Sequence, residues 1–486
     1  MTETAAYAAV DLGAESGRVV RGRFVGERVA LEVVHRFANR PVPLPDGLRW
    51  NLLALFGEAL GGLREAGDVE GIGVDAWGVD YALLDARCRV LGLPFHYRDD
   101  RTAGMIERAH GRVPREQLYA VTGIQTMPIN TVFQLLADEG SAALAAAERL
   151  ALVPDLFNLW LTGELANEAT AASTTGLLDA RTGAWARELV QRLGLPPAPF
   201  AGDPVQPGTT VGPVLGVHEA LAGTPVFAVA GHDTASAFAA APIAGPDAAV
   251  LSSGTWSLLG LELPEPVLDA RAAGFNLTNE RGIEGTIRLL RNVMGLWLVQ
   301  ECRRAWGDPD YAELTRLAED APADVPLFDP DDDAFLGHGR MPERIADACT
   351  ALGQRAPDGQ GETVRAIAVS LACKYRLVLE QLELTSGRSV DRIHVIGGGA
   401  RNALLCRLTA DVTGRQVLAG PVEATALGNV LVQARAAGRL GSLADVRAVA
   451  AASAEPETFT PRADGAADYE RFLAVTGLSP ATATPA

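Results

Sequence analysis

Residues 228–256, AVAGHDTASAFAAAPIAGPDAAVLSSGTW, constrain the architecture more than any other stretch of the chain. They begin at the end of a short apolar run, 225–230, whose length suits a buried strand. Gly231 breaks the run, and His232, Asp233 and Thr234 follow at the mouth of a helix of small residues. A second apolar run, 248–251, leads into the hydroxyl-rich turn Ser252-Ser253-Gly254-Thr255. A carboxylate and a nest of donors sized for phosphate thus stand about 20 residues apart, joined by an Ala/Pro/Gly connector. Two halves hinged about a polar cleft would use both, and group transfer is the chemistry such a cleft suits.

The N-terminal region has the same pattern. Apolar runs at 7–10, 19–24 and 29–34 read as consecutive strands, and the first loop, DLGAESGR, carries Asp11, Gly13, Ser16 and Gly17. Glycines at 13 and 17 let the backbone approach a ligand, so the loop amides are able to cradle a phosphate. Asp11, at a strand end, is placed to hold Mg²⁺ directly or through water. Such a turn also serves simply to join strands. Residues 248–263 then repeat strand, Gly/Ser turn, strand, so the chain reads as a duplicated α/β core facing itself across a cleft.

Between and beyond these units, residues 51–66, 103–110, 115–122, 131–151, 293–306, 311–319, 363–384 and 403–412 have helical spacing. Residues 196–216 read as a Pro/Gly-rich linker, and 326–333 as an acidic surface loop. The turn AWGVD places Trp77 and Gly78 beside Asp80, able to stack on a sugar ring and bond its hydroxyls, or else to be a core Trp with turn aspartates. FHYRDDRT, 95–102, is a solvated loop or the charged wall of a polar pocket, and GIQTMPIN offers Gln125, Thr126 and Asn130. Gly397-Gly398-Gly399 follows the strand 392–396, with Asn402 as a helix cap and Gly414 past that helix's end. Position 402 breaks the G-x-G-x-x-G dinucleotide fingerprint, so a flat adenine or ribose on backbone is the expectation. A long amphipathic helix begins near 423, and the last ten residues are expected to be mobile.

Composition narrows the chemistry. Lys374 is the single lysine, so neither a Walker A loop nor a protein-kinase strand lysine is present. ATP would have to be gripped by amides, hydroxyls, arginine and Mg²⁺. A net charge of −18 argues against nucleic acid and anionic membranes as partners. No run reaches the roughly 18 apolar residues of a membrane span, and the N-terminus lacks the basic region of a secretory signal. Five scattered cysteines without a CxxC pair suit reduced thiols in a cytoplasmic protein.

Together VDLGAESGR, GVDAWGVDYALLD, LPFHYRDDRT, GIQTMPINT, GHDTASA, LSSGTWSLLG, NVMGLWLVQE, VIGGGARN and AGPVEATALGN, in that order of kind along nearly the whole chain, resemble the FGGY carbohydrate kinases. The resemblance implies an α/β fold of two actin- or hexokinase-like (ribonuclease H-like) domains facing across a cleft. Their expected bounds are 1–243, carrying the sugar side and first phosphate loop, and 244–445, with the second phosphate loop and adenosine loop. A partly mobile extension, 446–486, follows. It implies Asp233 as catalytic base, with Gly78, His232, Thr234 and Asn292 binding substrate beside Trp77 and Asp80. Ala14, Glu15, Ser16, Gly17 and Arg18, then Thr255, Gln300 and Gly398, match ATP contacts, and Asp11 the Mg²⁺-organising aspartate. Glu15 stands where these kinases usually carry serine, so an amide rather than the carboxylate is expected to face phosphate, and Gly231 replaces a small polar residue.

The implied activity is ATP-dependent phosphorylation of the C1 hydroxyl of L-rhamnulose, in L-rhamnose catabolism, by a monomer or homodimer. A kinase for L-fuculose, xylulose or glycerol, a non-catalytic sugar sensor, and a filament-forming actin-like protein are the other readings the chain leaves open.

Overall fold

The computed structural model describes residues 5–243, 245–462 and 465–481 and holds two mixed sheets. The first contains β1 (Ala6–Leu12), β2 (Ser16–Val25), β3 (Arg28–Ala38), β4 (Ile72–Ala76), β5 (Thr209–Pro213) and β6 (Pro225–Ala228). Their order is β3-β2-β1-β4-β6-β5. β1 to β3 form an antiparallel meander, whereas β4 runs parallel to β1 and β6 parallel to β4. β1 and β4 are buried along their whole length, as strands covered on both faces must be.

The second sheet contains β7 (Ala248–Ser253), β8 (Trp256–Leu263), β9 (Thr278–Arg281), β10 (Ile287–Met294), β11 (Arg392–Ile396), β12 (Gln416–Ala419) and β13 (Glu457–Phe459). It is ordered β9-β10-β8-β7-β11-β12-β13. β10, β8 and β7 are antiparallel neighbours, and β11 and β12 continue parallel to β7. The run β10-β8-β7-β11-β12 therefore repeats β3-β2-β1-β4-β6 in both order and direction. This is the expected duplication, and it puts the β1–β2 and β7–β8 turns in equivalent places.

Eight helices matter for the site and its frame: α1 (Leu52–Ala66), α2 (Asp233–Ala239), α3 (Trp297–Ala305), α4 (Gly359–Ser386), α5 (Ala403–Thr413), α6 (Ala424–Ala436), α7 (Leu443–Ser453) and α8 (Ala466–Thr476). Asn51 caps α1 and Asn402 caps α5 through their side chains, and Gly414 ends α5 in the left-handed region at φ 66°. α6, expected to be amphipathic, is buried almost all round because it lies against β1, β4 and α2. α6 and α7 thus pack on the first lobe, although their residues lie in or beyond the second expected domain. β13 and α8 join the second lobe, against β12 and against α4 and α5. Residues 482–486, part of the tail expected to be mobile, lie outside the described residues.

Four further local expectations fail. The helix read over 131–151 breaks at Gly140 (φ 84°) into Thr131–Ala137, Ala142–Ala146 and a strand, Arg149–Leu152. The helix read over 293–306 is the end of β10, then Gly295, then α3. A Cβ on Gly295 would lie 2.7 Å from the Trp256 carbonyl carbon, so close packing on the second turn selects glycine there. The 196–216 linker contains β5, an edge strand. The acidic loop is not merely solvated either: Asp329 and Asp331 lie 2.7 and 3.2 Å from the buried Lys374 ammonium. Among the described residues no helix is long and apolar enough to cross a membrane.

Candidate active site

The two glycine turns meet around one cavity of about 260 Å³, which Asp11, Ala14, Asp233, Thr255 and Gly398 all help to line. At the first turn the Gly13 amide donates to the Ser16 carbonyl at 2.9 Å, while Asn39 braces the loop by donating to the Gly13 and Glu15 carbonyls. The amides of Ala14 and Glu15 have no partner among the described residues, which leaves two donors at the tip. Asp11 is buried, and its Oδ2 accepts from Arg18 Nε and Nη2 at 2.8 and 2.6 Å. Arg18 also reaches Glu423, at the head of α6, at 2.5 Å. Ser16 and Gly17 line neither cavity, and Gly17 is a packing glycine whose added Cβ would stand 2.2 Å from the Phe37 ring.

The second turn mirrors the first. Gly254 donates to the Trp256 carbonyl at 2.9 Å and accepts from Leu296, while Thr255 accepts from the Trp297 amide. The β7–β8 turn therefore sits against the start of α3. Gln300 of α3 donates to Thr255 Oγ1 at 3.4 Å, and its buried Oε1 has no hydrogen-bond partner. Such an atom is placed for a ligand donor. The glycine loop after β11 closes on the same turn, since a Cβ on Gly399 would meet Ser253 Oγ at 2.0 Å.

Asp233 is the first residue of α2, and the helix start favours its ionised form. Burial nonetheless raises its pKa above the ordinary carboxylate value, with His232 opposing the rise and Asp11 adding to it. Its side chain keeps 30% exposure, enough for a substrate to reach it. Oδ1 accepts from Thr234 Oγ1 at 3.0 Å, and His232 Nε2 lies 3.5 Å from the same oxygen. The turn is fastened from below: buried Glu168 accepts from the amides of Gly231, Thr170 and Ala171. A Cβ on Gly231 would stand 3.0 Å from that carboxylate, which is why glycine suits this position.

The expected sugar side is partly as read. Trp77, Gly78, His232, Thr234 and Asn292 line the cavity. Gln125 joins them and binds Asn292 three times, through the Asn292 amide, side chain and carbonyl. Asp80 does not reach the cavity. It is fully buried and accepts from Trp50 and Trp77 indole N–H groups at 2.5 and 3.0 Å, from Gln134 at 2.8 Å and from the Tyr97 amide at 3.2 Å. It shapes the pocket by fixing Trp77, whose ring packs on Trp50 at 4.1 Å, and does not itself face a sugar. Burial lifts the Asp80 carboxyl to about 6 against these donors.

A second cavity, about 810 Å³, adjoins the first where Ala14, Tyr97 and Thr255 line both, and Glu15 and Gln300 belong to its wall. The 95–102 stretch forms part of the wall between the lobes: Arg98 donates to the Leu336 carbonyl at 2.8 Å and lies 4.1 Å over the Trp297 ring. The sequence reading missed Glu168, Glu280, Arg288 and Glu423. A charged residue inside a mostly apolar strand, Arg288 in IRLLRNVM, was the available signal for one of them, whereas TNER around Glu280 is polar throughout.

Known proteins share this architecture. The N-terminal domain of the FGGY family of carbohydrate kinases matches residues 62–239, and the C-terminal domain matches 249–437. The chain is 41% identical over 465 residues to a rhamnulokinase of Bacteroides thetaiotaomicron, covering 94% of this chain and 96% of that one. It is 42% identical over 479 residues to a rhamnulokinase of Pectobacterium atrosepticum, covering 96% of each. In fold it resembles xylulose kinase from Lactobacillus acidophilus (TM-score 0.79, 16% identity, 97% and 96% covered). Plasmodium falciparum glycerol kinase with ADP is similar too (TM-score 0.77, 14% identity, 98% and 99% covered). The two-lobed architecture is thus that of the actin- and hexokinase-like sugar kinases. The chain belongs to the FGGY family of carbohydrate kinases, and is accordingly a sugar kinase with ATP as its cosubstrate.

Proposed function

We propose that the protein transfers the γ-phosphoryl group of ATP to the C1 hydroxyl of L-rhamnulose, giving L-rhamnulose 1-phosphate and ADP. The observation that carries the chemistry is that Asp233 shares one cavity with both glycine turns. The choice of sugar rests on the likeness to rhamnulokinases along nearly the full chain.

Phosphoryl transfer passes through a loose transition state, so catalysis is mostly positioning and charge stabilisation. Asp233 accepts the proton of the attacking hydroxyl, a contribution of roughly 10²–10⁴-fold. Its raised pKa, caused by burial, makes it a somewhat stronger base. Asn292, held by Gln125, and His232 and Thr234, beside the base, orient the sugar. The free amides of Ala14 and Glu15, with Thr255, face the phosphates. Gln300 and Gly398 serve the nucleoside end.

The donor set suits Mg²⁺. No cluster of three or more His, Cys, Asp or Glu able to hold a metal is found among the described residues, and Arg18 occupies one oxygen of Asp11. One carboxylate with several waters and phosphate oxygens is how Mg²⁺ is usually bound. Asp11 would hold it through its remaining oxygen or through water, and the ion would supply charge neutralisation at the phosphates.

Coupled ADP release across a panel of ketoses and glycerol tests the reading. The expected result is that L-rhamnulose gives the highest kcat/KM, ahead of L-fuculose, xylulose and glycerol. A higher value for another sugar overturns the substrate, and no ADP release with any of them overturns the catalytic reading.

A further inference from the structure

The surroundings of His232 come from both lobes. Its amide donates to Thr170 Oγ1 at 3.1 Å, so the backbone belongs to the first lobe. Its imidazole faces the second. There Glu280 of β9 and Arg288 of β10 stand directly opposite one another in the antiparallel ladder, so their side chains leave the same face of the sheet. Both are buried, at 4% and 0% exposure. Arg288 Nη2 lies 3.1 Å from Glu280 Oε2 and 3.2 Å from His232 Nδ1. The opposite ring nitrogen, Nε2, faces Asp233 Oδ1 at 3.5 Å.

The chemistry of these groups decides where the imidazole proton sits. A guanidinium has N–H donors and no acceptor, and it stays charged in proteins. A hydrogen bond from Arg288 to Nδ1 therefore requires the Nδ1 lone pair. Glu280 Oε2 is as near to Nδ1, at 3.2 Å, but that oxygen has no aligned hydrogen-bond partner. Glu280 acts as counter-ion to the guanidinium: burial alone would raise its carboxyl, but Arg288 first, and then the neighbouring His232 and Asn292, hold it below the usual range. The neutral ring then carries its proton on Nε2, toward the base. Asp233 Oδ1, which already accepts from Thr234, is thereby the held oxygen, and Oδ2 is the one left for a sugar hydroxyl.

We propose that Arg288, with Glu280 as its counter-ion, is a positioning residue that fixes the Nε2–H tautomer of His232 and through it orients the Asp233 carboxylate. Because the pair belongs to the second sheet, an aligned base exists only when the lobes meet. This rests on Asp233 being the base.

Two measurements on the full chain test it. In protein labelled with ¹⁵N-histidine, the seven imidazoles give few enough signals for the His232 pair to be assigned by its loss in His232→Asn. The expected spectrum has Nε2 protonated and Nδ1 bare. A proton on Nδ1, or a ring averaging between tautomers, overturns the proposal. The double variant Glu280→Met/Arg288→Met removes both charges together, a change that buried pairs tolerate far better than loss of one partner. Its kcat should fall roughly 10- to 100-fold through misorientation of the base, with the KM for ATP within about twofold and His232 tautomers mixed. A kcat within about twofold of wild type contradicts the proposal. The spectrum does not depend on the double variant folding. Full activity in Asp233→Asn would remove the base assignment instead, and would leave the tautomer result standing.

Discussion

Glu15, at the tip of the first glycine turn, reaches across the cleft to Arg304 of α3 and pairs with it at 2.6 Å. The Glu15 carboxylate therefore points away from the turn, while the Glu15 amide at its tip stays free. Arg304 is held in turn by Glu301 of the same helix.

Both partners of this bridge are partly exposed, at 44% and 31%, so Glu15→Ser should cost only about 0.2–1 kcal/mol of stability, and less at high salt. Urea unfolding at low and high ionic strength measures this. The kcat should stay within about threefold of wild type, equivalent to less than 1 kcal/mol. A loss of more than tenfold would put the carboxylate itself in the phosphate site.

Gly399 offers a sharper handle on the nucleotide side. An added Cβ would overlap Ser253 Oγ at 2.0 Å and press the 397–399 loop off the second turn. Gly399→Ala should raise the KM for ATP by about tenfold, equivalent to about 1.4 kcal/mol, and leave the KM for the sugar nearly unchanged. Steady-state kinetics with each substrate varied distinguishes the two. An unchanged KM for ATP would mean that this loop does not carry the nucleotide.

Asp80 predicts a stability effect with a definite sign. Its folded pKa, about 6, lies above the ordinary carboxylate value of 3.8. The folded state therefore binds this proton more tightly than the unfolded chain. The associated stability is fully present below about pH 4 and is lost as pH rises to about 6, with an amplitude of about 3 kcal/mol. Asp80→Asn cannot titrate, so urea midpoints between pH 4 and 7 should show wild type losing stability relative to the variant as pH rises. Parallel pH profiles for the two proteins would contradict the shift.

The turns were legible because each follows a short apolar strand and is punctuated by glycine: Asp11, Ala14, His232, Asp233, Thr255 and Gly398 stand at strand ends and fall around one cavity. Duplication was legible for the same reason. Periodicity failed where an apolar run fits two elements. Val293 and Met294 suit a helix as well as the strand they form, and only the close contact behind Gly295 marks the switch. α6 was misread because its polar positions Asn429 and Gln433, four residues apart, face the first sheet instead of solvent, donating to Asp75 and to the Ala8 carbonyl. Asp80 looked like a ligand because its four donors come from Trp50, Trp77, Tyr97 and Gln134, of which only Trp77 is a near neighbour in sequence. The role of Glu280 and Arg288 was not legible for a like reason: their pairing is set by strand register, and their link to His232 crosses between lobes.

The central claim is that one carboxylate in the cleft removes the proton from the sugar hydroxyl that attacks ATP. Crystals of the protein with L-rhamnulose and a non-hydrolysable ATP analogue test it most directly. The account predicts the C1 hydroxyl within roughly 2.6–3.2 Å of Asp233 and in line with the terminal phosphate between the two glycine turns. A sugar bound with another hydroxyl against Asp233, or lying outside the cavity that this residue shares with both turns, would contradict it.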